Sequence, residues 1–276
     1  MDYLVLDDLL RRALTEDIGT GDLTTASCIP ATAQSKGRFF AKESGVICGA
    51  EILGRVYALL DPTVSVTPLV SDGDRVETGT IIAEISGPAR SLLTGERVAL
   101  NLLGHLSGIA TKTAQLVAEI SGTHTKICDT RKTTPGLRAL EKYAVKTGGG
   151  SNHRFGLFDG VLIKDNHIVA AGGITAAVAA ARYNVPHTIK IEVETESLEQ
   201  VQEALSAGAD IIMLDNMNCA TMAQAVALVN GRALTEASGN MGGKDLSQVA
   251  EVGVDFISIG ALTHTVRALD LSLRFY

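Results

Sequence analysis

The chain has 276 residues, 46% of them hydrophobic, and a formal net charge of −7 from 24 basic and 31 acidic side chains. This composition is typical of a folded protein with one large or two modest domains, and it argues against a disordered or fibrous chain. Because an acidic protein without tryptophan lacks the basic surface with stacking aromatics that holds nucleic acid, we expect no nucleic-acid partner.

Local features disfavour further classes of protein. No apolar run approaches the roughly 18 residues of a membrane-spanning helix, so we expect no membrane partner. Acidic residues stand at the start of the chain, where a secretory signal would be basic, and we therefore expect a cytoplasmic protein. The four scattered cysteines form no CxxC pair, so neither a zinc site nor a disulfide framework is indicated.

The first part of the chain is predicted to form helices around a small sheet. Leucines at helical spacing predict an amphipathic helix over residues 3–18. Short β-branched runs and turn dipeptides between 37 and 85 predict a mainly antiparallel sheet, interrupted by a helix over 50–60. A long helical segment over 93–120 leads into the second half.

The second half repeats a strand-then-helix unit. Its short apolar or β-branched runs lie at residues 126–130, 160–165, 188–194, 209–215, 233–238 and 255–260. Repeated units of this kind predict a parallel sheet covered by helices. An eightfold barrel needs about 250 residues, far more than this half contains, so we expect a βα barrel with fewer than eight strands.

Distinctive residues mark the ends of the predicted strands. They are Arg131, Lys132, Lys164, Glu192, Glu194, Asp215, Glu236, Ser238 and Gly260. In parallel βα sheets, active sites collect where the strands end and the loops begin. We therefore expect the functional site at this edge of the sheet.

The stretch from 131 to 164 is locally basic. A predicted helix accounts for Arg138, Lys142 and Lys146 as an ordinary solvated face. The remaining cations are Arg131, Lys132, Arg154 and Lys164, joined by His153 in a glycine-rich stretch. A planar arginine fork suits a carboxylate and lysine adds a compact charge, so the set indicates a small polyacid or a phosphate. No second histidine lies at zincin spacing, which favours an anion-binding or structural role for the histidine over metal ligation.

Carboxylates stand on the two following strands. Glu192 has two interpretations of equal weight, namely pairing with Lys190 or a functional role. Glu194 and Asp215 lie near the ends of their strands, and two such carboxylates can hold Mg²⁺, which commonly bridges to substrate phosphates.

Small residues follow the last two strands and precede predicted helices. They are Ser238, Gly239, Asn240, Gly260 and Ala261. Backbone N–H groups exposed at such turns are suited to a phosphate.

Several of these segments closely resemble the quinolinate phosphoribosyltransferase family. The matching strings are LTGERVALN (93–101), DTRKTTPGLRALEKYAVKTGGGSNHR (129–154), LIKDNH (162–167), IEVE (191–194), IIMLDN (211–216), EASGN (236–240) and ISIGALTH (257–264). The combination of DTRKT with GGGSNHR at this spacing is highly specific to the family.

The resemblance implies an α/β fold with an N-terminal open-sheet α/β sandwich domain over 1–108 and a C-terminal incomplete βα-barrel catalytic domain over 109–276. It also implies phosphoribosyl transfer from phosphoribosyl pyrophosphate to quinolinate with decarboxylation. The products would be nicotinate mononucleotide, pyrophosphate and CO₂, which places the reaction in de novo NAD biosynthesis.

The resemblance assigns roles to residues as well. Quinolinate would be bound by Arg131, Lys132, His153, Arg154 and Lys164. Glu194 and Asp215 would hold the ribose and the Mg²⁺-pyrophosphate, and with Lys132 they form the expected catalytic set. The 5′-phosphate would be cradled by Ser238, Gly239, Asn240, Gly260 and Ala261. Arg97 would come from the neighbouring subunit, so we expect a homodimer with a shared site, able to assemble further. Glycine is frequent in the family where this chain has Asn240.

Three other interpretations remain open at this point. One is a related phosphoribosyltransferase-like protein of molybdenum-uptake clusters, which shares the TRKT region. Another is an aldolase that uses Lys164 as a Schiff-base amine. The third is a sensor that binds a small anion without turning it over.

Overall fold

A computed structural model describes residues 3–276, with side chains from residue 6 onward. Two compact units make up the chain. The first contains the described residues up to 112 together with 139–148 and 266–276, and the second contains 113–138 and 149–265. The expected boundary between residues 108 and 109 stays a prediction.

In chain order, the helices are α1 (Tyr3–Ile18), α2 (Leu23–Cys28), α3 (Ala50–Leu60), α4 (Ala89–Glu119), α5 (Arg138–Thr147), α6 (Asp165–Ala171), α7 (Ile174–Asn184), α8 (Leu198–Ser206), α9 (Cys219–Val229), α10 (Leu246–Glu251) and α11 (Ala261–His264), with a short 3-10 helix at Met241–Gly243. The strands are β1 (Gln34–Ala41), β2 (Gly45–Val46), β3 (Ser65–Pro68), β4 (Arg75–Val76), β5 (Ile81–Pro88), β6 (Lys126–Cys128), β7 (Val161–Ile163), β8 (Ile191–Thr195), β9 (Ile211–Asp215), β10 (Leu234–Ser238), β11 (Phe256–Ser258) and β12 (Leu271–Phe275).

The first unit is built on an antiparallel sheet with the strand order β12-β1-β5-β3. Alternate residues near the end of β1, Phe39 and Ala41, are buried, as the period-two geometry of a strand requires. Helix α3 buries Leu53 and Tyr57 and contacts both α1 and β3. The predicted helices over 3–18 and 50–60 and the predicted small sheet are confirmed.

The last strand of the chain returns to this first sheet, where Leu273 of β12 lies opposite Phe39 of β1. The segment before it lies against α4. A Cβ atom on Gly108 would come within 2.1 Å of the carbonyl oxygen of Arg267, and the N–H of Leu269 donates to the carbonyl of Gly104 at 2.9 Å. Glycine is therefore required at position 108 because the backbone of the returning segment approaches the helix closely.

The second unit is a parallel sheet of six strands in the order β6-β11-β10-β9-β8-β7, connected by helices. Its central strands are buried on both faces, and β9 accordingly has a nearly continuous apolar run. The expected fold class, an N-terminal α/β domain with a small sheet followed by a βα unit of fewer than eight strands, is confirmed. Across residues 3–276, no helix combines the length and apolar character needed to cross a lipid bilayer.

Candidate active site

The register of the parallel sheet brings the predicted site residues to one edge. Asp215, at the end of β9, lies opposite Ser238 at the end of β10. Glu194 of β8 lies opposite Met213 of β9, two residues before Asp215. Because parallel strands end at the same edge, side chains far apart in the chain converge there.

Asp129 joins the two basic segments of the site. This carboxylate is fully buried directly after β6. Its Oδ1 accepts a hydrogen bond from the backbone N–H of His153 at 2.8 Å, and its Oδ2 accepts from the side-chain amide of Asn152 at 2.6 Å. These bonds fix the segment that carries Arg154 beside the segment that carries Arg131.

Arg131 and Arg154 place two like charges close together. Burial lowers the pKa of Arg154, and the positive charge of Arg131 lowers it further. Nη1 of Arg154 donates to the carbonyl of Gly160 at 2.9 Å, yet the Nε–H of each arginine is buried without a hydrogen-bond partner. Buried guanidinium donors that face no acceptor are costly, so this pair is suited to an anionic ligand.

His153, which precedes Arg154 in the chain, forms a cluster with Glu192 and Glu236 that we call the buried acid cluster. Nε2 of His153 lies 3.0 Å from Glu192 and 3.7 Å from Glu236. Both glutamates are only 3% exposed. Burial raises the pKa of Glu236 to about 7, and the negative charge of Glu192 contributes to the rise. The interpretation that paired Glu192 with Lys190 gives way to a contact with His153.

Two carboxylates at the strand ends are held by neighbouring side chains. Nζ of Lys164 donates to Glu194 at 2.7 Å, with the lysine side chain 46% exposed and the glutamate 14% exposed. The side-chain amide of Asn216 donates to Asp215 at 2.6 Å. Both carboxylates keep further oxygen lone pairs, and oxygen donors of this kind are what Mg²⁺ prefers.

The turns after β9 and β10 interlock. Gly239 has a φ of 92°, and a Cβ atom there would lie 2.3–2.6 Å from Asn216, including its backbone nitrogen. Asn216 and Asn240 adopt left-handed backbone, with φ values of 54° and 51°. Asparagine tolerates this region better than most residues, which accounts for an asparagine at each of these two positions.

The turn after β11 lies beside Lys132. A Cβ atom on Gly260 would come within 2.8 Å of Cδ of Lys132, so the lysine side chain passes directly over this turn. The hydroxyl of Thr263 donates to the carbonyl of Lys132 at 2.7 Å and fixes its backbone. Ala261 begins the four-residue helix α11.

The expected solvated face of α5 is wrong for two of its three residues. Lys142 is buried. Arg138 donates to the hydroxyl of Thr133 at 2.9 Å and to the carbonyl of Phe155 at 3.1 Å, so it ties the two basic segments together. Lys146 is exposed, as expected.

Arg97 lies on α4 in the first unit and is exposed, beside Glu96. Its expected contribution to the site of a neighbouring subunit stays a prediction.

Sequence reasoning gave no site role to Asp129, Arg138 or Glu236, and left that of Glu192 open. Glu236 was visible as the charged residue of a predicted strand, and a charged residue that is buried needs a partner or a function. Asp129 and Arg138 act through bonds to segments distant in the sequence, so spacing gave no signal for them.

Comparisons with known proteins show which family the chain is similar to. The family models for the N-terminal and C-terminal domains of quinolinate phosphoribosyl transferase match residues 22–107 and 109–274. A Bacillus subtilis protein named "Probable nicotinate-nucleotide pyrophosphorylase (carboxylating)" is 49% identical, over 99% of this chain and 94% of its own length.

Solved structures are similar over the whole chain. The nicotinate-nucleotide pyrophosphorylase from Francisella tularensis superposes with a TM-score of 0.96 at 41% identity, covering 100% of this chain and 98% of that one. The structure of NadC from Streptococcus pyogenes gives a TM-score of 0.94 at 44% identity, with 100% and 99% coverage. With both domain models matched and relatives this similar, the chain belongs to the quinolinate phosphoribosyltransferase family.

Proposed function

We propose that the chain transfers the phosphoribosyl group of phosphoribosyl pyrophosphate to quinolinate and decarboxylates the product. The reaction gives nicotinate mononucleotide, pyrophosphate and CO₂, a step of NAD biosynthesis. Family membership carries the enzyme class and the reaction. The roles of individual residues, the metal, the homodimer and the cytoplasmic location are part of the proposal.

One observation carries the acceptor assignment, namely the buried and unpartnered Nε–H groups of Arg131 and Arg154. Two forked cations held side by side match a ligand with two carboxylates, because each fork can donate two parallel hydrogen bonds. A dianion also relieves the repulsion between the two arginines. Lys132, Lys164 and His153 complete the expected acceptor set, with Lys164 exposed enough to reach a ligand.

The donor side is formed by the strand ends next to this cation pair. Glu194 and Asp215 have the hard oxygen donors and partial exposure that suit Mg²⁺, and these two residues would hold it. A bound Mg²⁺ would supply positive charge to the leaving group. Because Mg²⁺ is commonly bound through one or two carboxylates plus substrate phosphates, a closed protein cage is not required here.

The 5′-phosphate is assigned to the turns after β10 and β11. Ser238, Gly239 and Asn240 form the first turn, and Gly260 with Ala261 forms the second. The side chain of Lys132 passes over the second turn, so its ammonium group adds a positive charge near that turn.

In the transfer step, the pyridine nitrogen of quinolinate forms a bond to the anomeric carbon of the ribose while the bond to the pyrophosphate oxygen breaks. The pyrophosphate leaves with the electron pair, and positive charge develops on the sugar. Carboxylates near the ribose, Glu194 and Asp215, stabilise that charge, as carboxylates do in glycoside chemistry.

In the second step, the ring nitrogen is cationic after ribosylation. The bond between C2 and its carboxylate breaks, CO₂ leaves, and the electron pair stays on C2 beside the cationic nitrogen. A proton from solvent or from an acid in the site then completes the nicotinate ring. The arginines hold the remaining carboxylate, and no further cofactor is needed for electron balance.

Two alternatives lose support from the geometry. Lysines that form Schiff bases are typically desolvated in apolar pockets, whereas Lys164 is half-exposed and ion-paired with Glu194. A non-catalytic sensor explains the arginine pair but leaves the carboxylates at the ends of β8 and β9 without a purpose.

The experiment is to mix the protein with quinolinate, phosphoribosyl pyrophosphate and Mg²⁺ and to measure CO₂ and nicotinate mononucleotide. Stoichiometric release of both products is expected. Turnover of nicotinic acid without CO₂ would reassign the acceptor, and quinolinate binding without product would favour the sensor.

A further inference from the structure

The buried acid cluster adjoins Arg154 of the proposed acceptor site through His153, and it contains two carboxylates that the proposed reaction does not use. Glu192 comes from β8 and Glu236 from β10, two strands that flank β9 in the sheet. Both side chains are at least nine-tenths buried. Oε1 of each glutamate is buried without a hydrogen-bond partner.

The hydrogen bonds of His153 define how the ring is oriented. Its Nδ1 accepts a hydrogen bond from the backbone N–H of Arg154 at 2.7 Å. In a neutral ring the proton is therefore on Nε2, the nitrogen that lies 3.0 Å from Glu192. Both ring nitrogens are thus committed to protein groups, one to the backbone of the acceptor arginine and one to the buried acids.

The same bonds argue against a metal ion at this cluster, although three ligand atoms converge there. A metal-bound histidine usually donates its other ring N–H to an acceptor. Nδ1 of His153 faces a donor instead. The cluster is therefore better suited to holding a histidine than to holding a cation.

Charge links the cluster to the acceptor arginines. Burial and the charge of Arg131 lower the pKa of Arg154, whereas the negative charge of Glu192 raises it. The Glu192 carboxylate therefore stabilises the charged guanidinium. One imidazole N–H also cannot satisfy two buried carboxyl groups, and Oε1 of each is left without a hydrogen-bond partner. Such acids are costly to bury and are kept where they serve a purpose.

We infer that Glu192 and Glu236 are positioning residues for the acceptor site, holding His153 by its Nε2–H so that the backbone and guanidinium of Arg154 are fixed for the substrate diacid. This inference rests on the proposed function. It assigns to His153 an indirect role, transmitted through the N–H of Arg154, in place of direct contact by a ring nitrogen.

The test uses Glu192→Gln and Glu236→Gln in the full-length protein. An amide keeps the size of the side chain but removes the charge and replaces one acceptor oxygen with a donor. We expect the KM for quinolinate to rise at least tenfold in Glu192→Gln and less in Glu236→Gln, which lies farther from Nε2. The KM for phosphoribosyl pyrophosphate should stay within about twofold of the wild-type value.

A matched control exists in the first unit, where Glu141 is fully buried and its Oε1 lies 2.9 Å from Nε2 of His105. Glu141→Gln makes the same chemical change in another buried Glu–His pair. It should lower the melting temperature without selectively raising the KM for quinolinate. If the cluster variants behave like this control, with both KM values unchanged or raised equally, the positioning role is refuted.

A second measurement is made on the wild-type protein, in which the cluster is intact. Nitrogen NMR of ¹⁵N-histidine-labelled wild-type protein, with the His153 signals assigned from a His153→Gln sample, should show a protonated Nε2 and an unprotonated Nδ1. An Nδ1–H tautomer, or stoichiometric Zn²⁺ bound by the wild type and lost in Glu236→Gln, would overturn the inference. Wild-type turnover of quinolinate tests the proposed function separately, because the tautomer is measured without substrate.

Discussion

Replacing Arg154 with lysine tests the acceptor site most directly, because lysine keeps the charge and removes the planar fork. Arg154 donates from Nη1 to the carbonyl of Gly160, and its Nε–H is buried and unpartnered. In the proposed complex, the fork donates two hydrogen bonds to a substrate carboxylate, and a lysine can replace one of them. A hydrogen bond to a charged group contributes about 1.5–3 kcal/mol. Since about 1.4 kcal/mol corresponds to a factor of ten in affinity, losing one such bond should weaken quinolinate binding roughly 10- to 100-fold.

The assay is steady-state kinetics with each substrate varied in turn, supported by calorimetric binding of quinolinate alone. We expect the KM for quinolinate to rise by that factor while the KM for phosphoribosyl pyrophosphate changes little. Arg182→Lys is the matched control, since Arg182 also donates to a backbone carbonyl and pairs with Asp210, on a helix outside the proposed site. An unchanged KM for quinolinate, or an equal rise for both substrates, would refute the assignment of Arg154 to the acceptor.

Three further predictions concern the site and its surroundings. We expect two inactive variants, Arg97→Ala and Lys132→Ala, to regain partial activity when they are mixed, because a mixed dimer can form one site from two intact halves. No recovery of activity despite confirmed subunit exchange would count against a shared site. Gly239→Ala should weaken phosphoribosyl pyrophosphate binding, because left-handed backbone strain costs about 1–3 kcal/mol and the new Cβ would collide with Asn216. The control is Gly243→Ala, which should be neutral in the same binding assay because nothing lies within 4 Å of its Cβ position. The pKa of Glu236 is raised to about 7 from 4.5, because the folded protein favours the protonated carboxyl group. The stability that this protonated form contributes is fully present below pH 4.5 and is lost as the pH rises through 7. Urea unfolding from pH 5 to 8 should show Glu236→Gln gaining up to roughly 3 kcal/mol on the wild type as the pH rises, and parallel curves would contradict the raised pKa.

The sequence alone determined the classes of element and the edge of the sheet where the candidate site residues lie. Hydrophobic periodicity is local, so α1 and α3 could be predicted, and the strand-then-helix rhythm predicted a parallel sheet with fewer than eight strands. The rule that sites gather at strand ends selected Lys164, Glu194 and Asp215, and the structure brings Lys164 within 2.7 Å of Glu194. The family strings supplied the reaction, which no pattern of charge specifies by itself.

Only the tertiary structure decided the contacts that join distant segments. Nothing in the local sequence of β12 indicates pairing with β1. Spacing left Glu192 either paired with Lys190 or functional, and only the structure places it against His153. Arg138 was expected on a solvated face because helical spacing describes one helix and not its neighbours. Hydrogen bonds and ion pairs form between groups that the fold brings together across the chain, so local periodicity carries no information about them.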